Sequence, residues 1–223
     1  MTNKLFLFLN QSLFCKLALL LRKKLACFGS DTNITVRCLQ VLIKAVDVSS
    51  VMKNSQEIVR ASLLPFFSYA AEDLNNVIED LRNNRLANLK GTSQKTFSHL
   101  DYINMVLLPV LASMFDHLAA NQYGSDVLVG EIQLASYKIL NALWILGTLG
   151  TKIIDREWII HELNRHRPLI GDCLGSFAAC FPIAFFESQF NLNNKFSIMY
   201  GLTASNLSEH SLEGQGNFVY SLF

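Results

Sequence analysis

The run His161-Glu162-Leu163-Asn164-Arg165-His166 comes nearest to a catalytic sequence in this chain. A helix bearing His-Glu-x-x-His binds zinc because histidines four apart share one face, and the glutamate between them can serve as base. Here the histidines are five apart, which turns the second roughly 140° away from the first at 3.6 residues per turn. A third ligand is not evident either. The run reads as a solvated helix end, and no metal site is expected.

Glu72 with Asp73 and Glu79 with Asp80 supply paired carboxylates on one predicted helix. Adjacent helical positions point about 100° apart, so neither pair converges as an acid and a base would have to. Arg82 and Arg85 stand close enough in sequence to neutralise Glu79 or Asp80, and both pairs read as solvated faces. Serines are plentiful, but no G-x-S-x-G elbow, phosphate-binding glycine loop or dinucleotide fingerprint occurs. Cys15, Cys27, Cys38, Cys173 and Cys180 form no C-x-x-C pair. Their odd number suits reduced thiols in the cytosol, packed as small buried hydrophobes on helices rather than as zinc ligands. Asn33-Ile34-Thr35 and Asn206-Leu207-Ser208 are glycosylation triplets that matter only in a secreted chain. The expectation is no enzyme: no catalytic residue, no cofactor and no metal.

The elements that would have to position such groups are helices. With 223 residues, 51% of them hydrophobic, the chain can bury one core or a short row of helix pairs. A net charge of +1 gives no field for nucleic acid, and aromatic residues are not interleaved with basic ones, so a nucleic-acid partner is excluded. Pro and Gly are few before Asn191 and apolar/polar alternation is nearly absent, which predicts an all-α chain.

Lys4 followed by Leu5 to Leu9 opens like a signal peptide, but Asn10, Gln11, Ser12 and Lys16 interrupt the apolar run. An uninterrupted apolar span of about 20 residues is not seen here or elsewhere, so no membrane span is expected. From Ser12 as N-cap, Leu13, Lys16, Leu17, Leu20, Lys24 and Phe28 fall at helical intervals, and Gly29 stands just past the end. This basic, apolar helix reads as a core helix with a cationic end; calmodulin targets and membrane-surface helices share the pattern. Ile34 to Asp47 is the next helix, carrying Val36, Leu39, Ile43 and Val46, with a corner at Val48 to Asn54. A third helix starts near Ser55, breaks before Phe66 because of Pro65, and resumes through Ala70, Leu74, Val77, Ile78 and Leu81.

Asn83 to Ser98 is the most polar internal stretch and the expected long loop. Asp101 to Thr148 then forms two apolar helices joined by a turn at Asn121 to Ser125, with a kink at Pro109 and a helix exit at Gly147. A loop to Lys152 leads to two shorter helices, Asp155 to Asn164 and Pro168 to Phe181, and Pro182 ends the second. Helix pairs with polar elbows predict an α-solenoid of stacked antiparallel helix pairs, with Asp101 to Thr148 as a repeat unit. Residues 1–12 read as an N-terminal extension, 13–190 as the solenoid segment and 191–223 as a poorly ordered tail.

Several blocks carry a family likeness: Val41-Leu42-Ile43-Lys44-Ala45-Val46-Asp47, Arg60-Ala61-Ser62-Leu63-Leu64-Pro65-Phe66-Phe67, Ala70-Ala71-Glu72-Asp73-Leu74, Leu107-Leu108-Pro109-Val110-Leu111, Gln122-Tyr123-Gly124 and Leu146-Gly147-Thr148. Arg167-Pro168, Gly171-Asp172-Cys173-Leu174 and Pro182-Ile183-Ala184-Phe185 continue it in order. Read together from about Leu13 to Ile198, they resemble the ryanodine receptor family of tetrameric calcium-release channels. The resemblance implies a stretch of the channel's cytoplasmic helical solenoid, upstream of its calmodulin-binding region, on the cytosolic face of the sarcoplasmic or endoplasmic reticulum. It implies neighbouring solenoid segments of the same homotetrameric channel as partners, and a part that transmits conformational change rather than conducting calcium. None of the family's calcium, nucleotide, caffeine or ryanodine residues falls on a position of this chain. Met1 to Ser12 and Met199 to Phe223 depart from the family, and Thr151 to Arg165 is longer than its connection there. The other reading of the chain is a free-standing helical adaptor that binds a partner helix or channel subunit.

Overall fold

Residues 2–45, 56–83, 99–122, 131–148 and 157–181 are described by a computed structural model, and among them no strand occurs. Their helices are α1 (Thr2–Phe28), α2 (Thr32–Lys44), α3 (Gln56–Arg82), α4 (His99–Ala120), α5 (Glu131–Thr148) and α6 (Glu157–Cys180). The all-α expectation holds. The corner at Val48 to Asn54, nearly all of the polar stretch before Ser98, and the tail lie outside the described residues.

From α2 onward, helices two apart in the chain pack most closely, whereas α1 packs more on α2 than on α3. α3 lies along α5 and α4 along α6, while α2 seats on α4 and α1 on α3. Odd-numbered helices therefore form one layer and even-numbered helices the other. The layers are tied by α1 with α2, by α3 with the start of α4, and by α5 with α6. This corrects the pairing read from the sequence: α4 and α5, consecutive between Asp101 and Thr148, are not a closely packed pair. Each is apolar around most of its circumference, burying for example Ile103, Val106, Leu111 and Phe115 on α4 and Ile132, Ile139, Leu143 and Leu146 on α5. A helix so widely apolar needs neighbours on several sides, and its layer supplies them better than one antiparallel partner can. By length and composition α4 can also cross a membrane, contrary to the expectation that no such stretch exists. In this fold its apolar face is core.

Among the described residues, Pro65 and Pro168 depart from expectation, and Pro182 lies outside them. α3 runs unbroken through Pro65 and α6 through Pro168, so the predicted break before Phe66 and the two short C-terminal helices are replaced by continuous ones. Both prolines are exposed, which leaves the carbonyl that each orphans one turn earlier on the water side, where solvent can satisfy it. Pro109 is half-buried and is accommodated differently. The preceding turn, Ile103–Leu107, widens to a π-helix, and the Leu108 N–H bonds the Ile103 carbonyl five residues back. The Pro109 carbonyl also accepts from Gln40 Nε2 at 3.4 Å, and Gln40 donates to Ser113 Oγ at 2.9 Å, tying α2 to α4.

The N-terminal helix begins at Thr2, so Ser12 lies inside it and caps nothing; its backbone leaves helical geometry at Lys24 (φ −135°). Gly29 ends it at φ +47°, a left-handed conformation that glycine adopts without steric cost. α2 starts two residues earlier than expected. Buried Thr32 donates from Oγ1 to the Gly29 carbonyl at 2.9 Å, and Val36, Leu39 and Ile43 line its inner face as predicted. Gln122, at φ +59°, turns the chain out of α4 at the expected turn. Gly147 is still helical; a Cβ there would rest 3.6 Å from Ile170 Cγ2, showing how closely α5 approaches α6.

A row of phenylalanines threads the layers. Phe14 on α1 meets Phe66 on α3 edge-on at 5.2 Å, and Phe67 beside it stacks on Phe115 of α4 at 5.9 Å. Phe115 in turn touches Phe177 (5.1 Å) and Phe181 (5.6 Å) at the end of α6. Edge-on and offset ring pairs add about 0.5–1.5 kcal/mol each to plain area burial.

Candidate functional site: a clamped cleft between the first, third and fourth helices

Tyr69 and Asp73 are four residues apart on α3 and share a face with Pro65, Phe66 and Ala70. Opposite them on α1 stand Cys15, Ala18, Leu19 and Arg22, again at three- and four-residue spacing. Tyr102 and Leu107, flanking and closing the π turn of α4, form the floor. All of these except Asp73, together with Lys16, line a cleft of about 230 Å³. A cavity of about 150 Å³ already holds benzene, so the cleft has room for one small ring or a partner's side chain.

Arg22 closes one end. Its Nε donates to both Asp73 oxygens at 2.9 and 2.8 Å, and one Nη donates to Asp73 Oδ1 and Glu72 Oε2, each at 2.7 Å. Glu72 and Asp73 point apart as adjacent helical residues must, yet the guanidinium fork is wide enough to reach both. The cation also lies 4.5 Å from the Tyr69 ring centroid, within cation–π range. The sequence reading of this carboxylate pair as a solvated face is thus corrected for Asp73, whose side chain is 13% exposed, and kept for Glu72 at 57%. The hydrogen bond to Asp73 is the main cause that raises the Arg22 pKa above that of free arginine. Burial pushes the Asp73 carboxyl up, and its bond to Arg22 opposes that push.

The cleft is poorly equipped for acid–base or nucleophilic chemistry. Burial raises the Cys15 thiol, so little thiolate is present near neutrality. Burial, with Asp73 nearby, also raises Tyr102 and keeps it a phenol. Both Asp73 oxygens are engaged by Arg22. What the arrangement does is hold α1 against α3 in one orientation.

The other sequence candidates are scattered. His161 is exposed and His166 half-buried on the continuous α6, and among the described residues no three His, Cys, Asp or Glu side chains gather to hold a metal. Asp80 of the second carboxylate pair meets His99 Nδ1 at 2.8 Å across the segment that joins α3 to α4. Cys173 and Cys180 are buried, as small hydrophobes should be, whereas Cys27 and Cys38 are exposed, against expectation, because both lie on the outer sides of α1 and α2. Burial pushes the Cys180 thiol up to about 12 and raises Cys173 as well. Ser136 Oγ, buried on α5 without a hydrogen-bond partner, is not among the residues that line the cleft.

Sequence reasoning missed the Arg22 clamp. The signal was present: Arg22 stands at i+4 from Ala18 and beside Leu21 and Leu25, on the flank of the buried stripe rather than opposite it. The chain matches no protein-family model.

Proposed function

We propose that this chain is a structural and coupling segment of the cytosolic arm of a ryanodine-sensitive calcium-release channel, in which stacked helix pairs pass conformational change between neighbouring segments. The observation that carries the reading is the packing order: odd helices on odd, even on even, with α1/α2, α3/α4 and α5/α6 as the cross-ties. Stacked helical hairpins generate that order, since each helix meets its equivalent in the next repeat. On this reading the repeat units are those three pairs, and the Asp101 to Thr148 stretch straddles two of them. The blocks from Val41 to Phe185 that resemble the channel family support the specific assignment. Its partners are adjoining solenoid segments of a homotetramer at the reticulum membrane. Sequencing of full-length transcripts tests it: a reading frame that runs through Ile198 into further channel sequence is the expected result, and a transcript that stops at Phe223 overturns it.

The exposed apolar residues of α1 and α2 favour a second reading, a free-standing helical adaptor. That protein, expressed alone, is a stable monomer, whereas a segment cut from a longer stack aggregates through uncovered faces.

A further inference from the structure

The wall of the cleft between α1, α3 and α4 is largely apolar, with Leu19, Pro65, Phe66, Ala70 and Leu107 supplying much of it. One polar group in that wall is unused. Tyr102 packs against the core, and the charges of both Asp73 and Arg22 reach its phenol, so the hydroxyl lies toward the clamped end. Yet among the described residues it has no hydrogen-bond partner, because Asp73 gives both its oxygens to Arg22. Polar groups drawn into a protein are nearly always bonded, and pockets use a few of them to orient what they hold. Because burial keeps Tyr102 protonated, it offers a donor and calls for an acceptor.

The charges select against an ionic occupant. Lys16 and Arg22 are the ionised side chains of the lining, and no carboxylate joins them there. Arg22 is already shared by Asp73 and Glu72, so the two cations are matched by two acids at the clamp, and Lys16 is exposed to water. Glu79, Asp80, His99 and Asp101 stay outside the lining, and Asp80 meets His99. A partner's Phe or Trp side chain brings no acceptor and leaves the phenol unpaired.

We propose that this cleft binds a small, neutral aromatic molecule that carries a hydrogen-bond acceptor, an aryl ketone being the simplest. Its ring fills the apolar wall, for which about 230 Å³ is ample, and its carbonyl accepts from the Tyr102 hydroxyl. Touching α1, α3 and α4 together, it strengthens the orientation that the Arg22 clamp sets. The inference rests on the cleft alone and stands whether or not the chain belongs to a channel.

The test titrates acetophenone into the isotope-labelled full chain, followed by amide NMR, beside benzoate and ethylbenzene as charged and acceptor-free counterparts of similar size. Saturable shifts centred on the cleft are expected for acetophenone, with benzoate weaker by about tenfold or more. Tyr102→Phe is expected to weaken acetophenone about threefold to tenfold, the loss of one hydrogen bond, and to leave ethylbenzene unchanged. Ala18→Phe fills the cleft from α1 and is expected to abolish binding of both; if that variant does not fold, the Tyr102→Phe comparison still decides. Benzoate that binds as tightly as acetophenone, the absence of saturable shifts, or a Tyr102→Phe loss that is missing or equal for ethylbenzene overturns the proposal. So does a folded Ala18→Phe variant that binds as before.

Discussion

Two of the attachments between helices of this protein are made of opposite materials. Around Phe115, helices α3, α4 and α6 meet through apolar contacts, with the rings of Phe67, Phe115 and Phe177 fully buried among aliphatic side chains. At the other end, α1 is fixed to α3 by one ring pair, Phe14 on Phe66, and by the Arg22 clamp, with an open cleft beside them. Apolar packing sets stability with little directional demand. A guanidinium fork on two carboxylates contributes less net energy but allows few relative orientations. The first contact makes a block, and the second sets the angle at which the α1/α2 pair leaves it.

The largest test of that contrast is truncation of the central ring. Phe115→Ala removes contacts to three other rings at a site with no exposure, and is expected to cost about 3–5 kcal/mol. Phe14→Ala, at the edge with one ring partner, should cost less. Urea unfolding of both variants makes the comparison, and equal losses would erase the distinction between block and attachment.

Next in size is Arg22→Met, which keeps most of the side-chain volume and leaves the half-buried Asp73 charge without its partner. A fully buried pair broken this way loses about 3–5 kcal/mol; partial exposure here brings the expected loss to about 2 kcal/mol. Adding Asp73→Leu should restore much of it, since replacing both members of such a pair is often close to neutral. A double substitution as unstable as the single one would show that the clamp works by packing and not by charge.

The sequence disclosed the block far better than the attachment. Val36, Leu39 and Ile43, or Leu74, Val77, Ile78 and Leu81, announce their helices because burial repeats at the helical period. What periodicity could not disclose is which helix lies beside which. α4 and α5 read as a hairpin because they are consecutive, and the packing of each with the helix two along became visible only in three dimensions. The prolines erred for a related reason: whether Pro65 interrupts α3 depends on which side of the helix meets water, a property of the neighbours. Arg22 was hidden by its company. In the run Arg22-Lys23-Lys24 it looks like one of three solvated cations, and its acidic partners are some fifty residues away.

A smaller effect per unit of pH separates the two regions by their protons. Tyr102 borders the cleft, while Cys173 and Cys180 line the block, and all three titrate higher in the folded chain because burial disfavours their charged forms. The folded state therefore holds these protons after the unfolded chain has lost them. Stability is intact below the unfolded thiol value near pH 8.5 and falls as pH rises toward the folded values, about 12 for Cys180. Each group contributes a slope of about 1.4 kcal/mol per pH unit while only its unfolded form is ionised. Tyr102→Phe should flatten the decline above pH 10 and leave the thiol part between pH 9 and 10 in place. Urea midpoints between pH 8 and 11 report it, and a midpoint that does not move with pH would contradict burial of these groups.

The smallest expected effect decides how the clamp is divided. Arg22 bonds both carboxylates at 2.7 Å, so distance alone ranks them equal. Exposure does not: Glu72 is largely in water, where its attraction is screened and the ordering of its side chain offsets part of the gain, whereas Asp73 lies mostly out of solvent. Glu72→Gln should therefore cost no more than about 0.5 kcal/mol, and what it does cost should fade in about 1 M salt. Asp73→Asn should cost more and fade less. If Glu72→Gln matched Asp73→Asn, the guanidinium would have to be held by the pair as a unit, and the angle of α1 on α3 would depend on both carboxylates rather than on the buried one.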